Sequence, residues 1–90
     1  MSNVRTKSVT PPGALVRAFR KQADISLDDL AERIKAAGCR RPPSAAKLSR
    51  IETGLQPVTL DILPFLAKAT RISARALRPD VWALFDTRAA

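Results

Sequence analysis

Apolar residues recur along the chain three and four positions apart, the spacing of one face of a helix, and nowhere alternate long enough to indicate a strand. Leu15, Val16 and Phe19 mark a first helix over about 14–23, with Arg17, Arg20 and Lys21 on its other faces. Thr10-Pro11-Pro12 punctuates its start, because proline suits a first helical turn. Leu27, Leu30, Ala31 and Ile34 stripe a second helix. Ser26 is its candidate N-cap, Asp28 and Asp29 suit the positive helix end, and Asp29 can close a capping box. Gly38 stands where a left-handed residue would finish that helix.

Cys39-Arg40-Arg41-Pro42-Pro43 is a basic connection through which no helix continues, since proline lacks a donor and restricts the residue before it. Ser44 caps a third helix, Ala45 to about Glu52, stopped by Gly54. Leu48 and Ile51 face inward there, and Ala45, Ala46, Ser49 and Arg50 lie on the other side. Either Thr59 or Asp61 caps a fourth helix; the later start places Pro64 in the first turn. Ile62, Leu63, Leu66 and Ala67 form its core face through about Thr70. Ser73 opens a short fifth helix with Ala76 and Leu77, broken at Pro79, and Asp80 is a candidate cap for a last turn. The pattern predicts an all-α, five-helix bundle over residues 11–90, preceded by a flexible basic arm at 1–10.

Charge sharpens this picture. The chain has 90 residues, sixteen Lys and Arg against eight Asp and Glu, and a net charge of +8. Ninety residues make one small domain with a modest core. The basic surplus falls almost entirely in residues 1–50, as expected of an electrostatic footprint for a polyanion, most often nucleic acid. Catalytic chemistry has little to work with. The sequence holds no His, no Tyr and a single Cys, which removes the usual general base, the common nucleophile–base pairs and a His/Cys zinc site. The three glycines are too scattered for a phosphate loop. No enzyme activity, cofactor or metal is expected. Cys39 allows no intrachain disulfide and suits a small, half-buried position. The N-terminus lacks the apolar core of a signal peptide and no apolar run reaches membrane length, so a cytoplasmic protein without a membrane partner is expected.

The segment Leu48-Ser49-Arg50-Ile51-Glu52-Thr53-Gly54 resembles the signature of the phage-repressor-like (Cro/XRE) helix-turn-helix proteins, small controller-type regulators among them. The resemblance extends from Leu15-Val16-Arg17-Ala18-Phe19-Arg20 through Ile25-Ser26-Leu27-Asp28-Asp29-Leu30-Ala31 to Leu60–Leu77. It implies a lambda-repressor-like domain that places its third helix in the major groove of double-stranded DNA. By position, Ala45, Ala46, Ser49 and Arg50 would face bases, with Arg50 suited to a bidentate contact with guanine. Arg40, Arg41 and Lys47 suit phosphates, as do the backbone N–H groups at Ser26 and Leu27, and Gln56 beyond the helix. The family often pairs a Glu at position 52 with an Arg at position 20, an ion pair that fixes helix orientation. One departure stands out. The family's turn between second and third helices is tight, about four residues, whereas Lys35 to Pro43 intervenes here. Either the second helix is longer or a basic loop projects near the DNA.

A homodimer on a palindromic operator follows from the resemblance, because one such domain touches few base pairs. Leu77, Val81, Trp82, Leu84 and Phe85, within a dimerisation segment of about 73–86, form the candidate seam, unless Trp82 folds back on its own core. The expected function is transcriptional regulation, nucleoid-associated when bound, with RNA polymerase as a further partner of an activator. The alternative is a protein-interaction module of antitoxin or anti-activator type.

Overall fold

A computed structural model describes residues 11–81. Five helices follow one another: α1 (Pro12–Ala23), α2 (Leu27–Ala36), α3 (Ala45–Thr53), α4 (Leu63–Thr70) and α5 (Ala74–Leu77), and residues 79–81 are again helical. The described residues contain no strand. The arm at 1–10 and the seam candidates Trp82, Leu84 and Phe85 lie outside them.

Local chemistry sets most boundaries. Pro12 occupies the first turn of α1, and Asp24 ends it in the left-handed region at φ 56°, a conformation that Asp tolerates better than most residues. Ser26 and Asp29 form the full capping box: the Ser26 hydroxyl accepts from the Asp29 N–H and the Asp29 carboxylate accepts from the Ser26 N–H, both at 3.0 Å. These bonds hold the Asp29 carboxyl below its ordinary range. Ser44 caps α3 by accepting from the Lys47 N–H at 3.1 Å, and Gly54 ends it at φ 84°.

Two expected caps differ. Neither Thr59 nor Asp61 caps α4; the chain makes a turn there, with the N–H groups of Ile62 and Leu63 donating to the Thr59 carbonyl, and α4 begins after Ile62. Pro64 does lie in its first turn. Asp80 is not a cap either. Helix resumes at Pro79 itself, and both Asp80 oxygens accept from Arg78, at 2.9 and 2.8 Å. That guanidinium holds the Asp80 carboxyl down at about 2.

The core gathers apolar side chains from every helix and from Ile62, just before α4: Val16, Leu30, Ile34, Leu48, Ile51, Ile62, Leu66 and Leu77. Cys39 and Val58, both from connections, complete it. Thr70 is buried with its hydroxyl satisfied, donating to the Leu66 carbonyl and accepting from the Ile72 N–H. Leu77 is fully buried against its own chain and presents no surface to a second copy, which removes it from the expected dimer seam. Val81 remains half-buried. Among the described residues no helix is long and apolar enough to cross a membrane.

Candidate nucleic-acid interface

The third helix owes its position to two contacts with α1, the element it packs against most extensively. The first is a close approach. A Cβ built on Gly13 would fall on the backbone carbonyls of Ile51 and Glu52, so only glycine lets the amino end of α1 abut the carboxyl end of α3. That arrangement brings the positive pole of one helix to the negative pole of the other. The second contact is ionic. Arg20 grips Glu52 with two parallel bonds, Nε to Oε2 at 2.8 Å and Nη2 to Oε1 at 3.0 Å. Its remaining Nη1 donates to the Ile25 carbonyl at 3.2 Å, so one guanidinium ties α1, the turn after it and α3 together. The bond to Glu52 raises the Arg20 pKa against the opposing effect of desolvation.

With Leu48 and Ile51 buried, the far side of α3 is free. Ala46 and Arg50 are exposed there and Ala45 and Ser49 half-buried, which places all four expected base-facing residues on one surface. Thr53 also lies on it, exposed, though its hydroxyl bonds back to the carbonyls of Ser49 and Arg50. Sequence reasoning missed Thr53, although its spacing of three from Arg50 and seven from Ala46 is the helical repeat. Arg50 is not a loose side chain: its Nε donates to the Gln56 side-chain oxygen at 2.9 Å. Gln56 was expected to reach a phosphate, and the structure joins it to Arg50 instead, leaving only its amide NH₂ for other partners.

The length of the connection between α2 and α3 is not taken up by a longer second helix. The second helix stops at Ala36, and a loop follows in which Cys39 and Pro43 are buried while Arg40 and Arg41 are exposed. Neither arginine has a hydrogen-bonding partner among the described residues. Gly38, at φ 114°, begins the loop with a backbone that side-chain-bearing residues rarely adopt. Lys47 behaves differently, since its Nζ donates to the Thr59 hydroxyl at 3.3 Å and leans toward the turn before α4. Ser26 requires a correction. Its backbone N–H donates to the Asp29 carboxylate, so it has no free backbone donor for a phosphate. The Leu27 N–H has no partner among the described residues, but Asp28 and Asp29 flank it.

Beyond α3 the chain is anchored. Val58 is buried, and the Arg78 Nη1 donates to its carbonyl at 2.6 Å, which pins the loop carrying Gln56 to the end of α5. An open groove of about 440 Å³ lies between the amino end of α1, this loop and residues 77–80, with Leu55, 77% exposed, among its lining residues. No group of His, Cys, Asp and Glu suited to a metal ion occurs among the described residues.

Two helices joined by a connection and braced by a third, the latter of the two baring a small-residue face with one arginine, define a helix-turn-helix. The chain belongs to the helix-turn-helix domain family, which it matches over residues 13–81. It is 38% identical over 65 residues to uncharacterized HTH-type transcriptional regulators from two strains of Mycobacterium tuberculosis. The match covers 72% of this chain and 41% of each relative, so the chain spans about two fifths of their length. No solved structure matches it.

Proposed function

We propose that this domain is a non-enzymatic transcriptional regulator that binds double-stranded DNA sequence-specifically, as a homodimer on a two-fold operator. The observation that carries the reading is the outward face of α3, where Ala45, Ala46 and Ser49 surround Arg50. Nine residues make a helix of about 13 Å, and the small side chains let it sink into a major groove about 12 Å wide. Ala45 and Ala46 suit thymine methyl groups, and Arg50 the O6/N7 edge of guanine. Arg40 and Arg41, beside the amino end of α3, fit the flanking phosphates, and the Leu27 N–H and Lys47 fit others. The names of the mycobacterial relatives support regulation, and DNA as the ligand puts the site of action in the cytoplasm, at the nucleoid. Val81, with Trp82, Leu84 and Phe85, remains the proposed seam. RNA polymerase would be the partner of an activating form.

The groove beside Leu55 favours a second reading, a module whose main partner is a protein. Arg50→Ala separates the two. With operator selected from random duplexes, the variant is expected to bind its operator about 5- to 150-fold more weakly, the loss of one bidentate base contact. Each phosphate contact contributes about 0.9 to the slope of log affinity against log salt, and that slope should be nearly unchanged. Wild-type binding abolished by scrambled competitor at physiological salt would refute operator recognition.

A further inference from the structure

We infer that Gln56 is a positioning residue that aims Arg50 at one base, so that readout at that position belongs to the pair and not to the arginine alone. The inference rests on the DNA-binding reading above and deepens it.

Residues 50 and 56 are joined twice. The Gln56 backbone N–H donates to the Arg50 carbonyl at 3.3 Å, and the Arg50 Nε donates to the Gln56 side-chain oxygen at 2.9 Å. Together these bonds close a ring between the last turns of α3 and the loop beyond it. The loop does not drift, because Val58 is buried two residues on and Arg78 holds its carbonyl at 2.6 Å. A chain of fixed contacts thus runs from the core to the guanidinium.

The chemistry of the fork decides what this arrangement does. An arginine has five N–H donors in one plane. With Nε committed to Gln56, Nη1 and Nη2 remain, and their end-on pair matches the two acceptors O6 and N7 of guanine. A free arginine on a helix surface samples many rotamers and serves a phosphate as readily as a base. One held at Nε has surrendered much of that freedom before the DNA arrives, which is the general basis of preorganised binding. The Gln56 amide NH₂ is left as a donor beside the reader, for an acceptor on the neighbouring base.

The test begins with selection of an operator by the wild-type domain from random duplexes, followed by competition with all four base pairs at each position. One position of each half-site is expected to favour guanine by about 5- to 150-fold. Gln56→Ala should reduce that preference to a few-fold or less, leave affinity for non-specific DNA unchanged, and keep the thermal midpoint of the wild type, since the bond it removes is at the surface. Arg50→Ala combined with Gln56→Ala should show no further loss of preference beyond Arg50→Ala alone, the non-additivity of groups acting as a unit. Wild-type preference retained in Gln56→Ala overturns the positioning role, as does a uniform loss over all sequences, which would make Gln56 a phosphate contact. A wild-type domain that enriches no sequence overturns the DNA reading itself.

Discussion

Glu52→Ala is expected to destabilise the domain by about 2 kcal/mol and Arg20→Ala by about 3 kcal/mol, between a surface salt bridge and a fully buried ion pair because this one is partly buried. The order follows from exposure. Losing Glu52 leaves a guanidinium with 17% of its side chain exposed, which reaches some water and keeps its bond to Ile25. Losing Arg20 strands a carboxylate with only 5% exposed. A domain of this size holds about 5–15 kcal/mol in total, so either change consumes a large part of it. Urea denaturation at neutral pH measures both. Replacing the pair together by leucines should cost far less than the sum, because no unpaired charge remains. A loss under about 1 kcal/mol in both single variants would mean that the pair behaves as a surface salt bridge.

Gly13→Ala sets two effects of opposite sign against each other. Helix propensity favours alanine over glycine by about 1 kcal/mol. Against this, the added methyl group meets the carbonyls of Ile51 and Glu52, which are backbone atoms and cannot swing away as a side chain would. Overpacking of this kind costs about 1–3 kcal/mol, occasionally more, and the clash should win. The thermal midpoint is expected to fall by several degrees, at about 4–8 °C per kcal/mol for a small domain. Gly13→Val should be worse still. A midpoint that rises in Gly13→Ala would show that α1 and α3 do not approach as closely as described.

The fold was readable where a single residue type forces a backbone geometry. Ser26, Ser44 and Ser73 announced helix starts, Gly54 an end, and the apolar stripes named eight of the buried side chains. What escaped depended on tertiary contact. The helix starting after Ile62 has no side-chain cap, so the polar residues Thr59 and Asp61 suggested one that the turn does not use. Val58, a buried loop residue like Cys39 and Pro43, carries no periodicity to mark it as core. The capping box at Ser26 is legible in the sequence, and its consequence is that the Ser26 backbone N–H is already bonded and not free for a phosphate. The base-facing residues of α3 were legible because a helical repeat and two buried anchors fix the opposite face. The link from Arg50 to Gln56 was not, since the five residues between them pass through a left-handed turn whose path no pattern encodes.

Cys39 gives the loop between α2 and α3 a built-in clock. The residue is buried, only 5% exposed, so a thiol reagent reaches it freely only when that segment lifts off the core. The labelling rate, divided by that of the unfolded chain, is the fraction of time the segment is open. The same segment carries Arg40 and Arg41 and leads into the cap of α3, so operator DNA bound across those arginines should slow the clock. The unmodified protein thus carries its own reporter of whether the long connection is part of the DNA-bound surface.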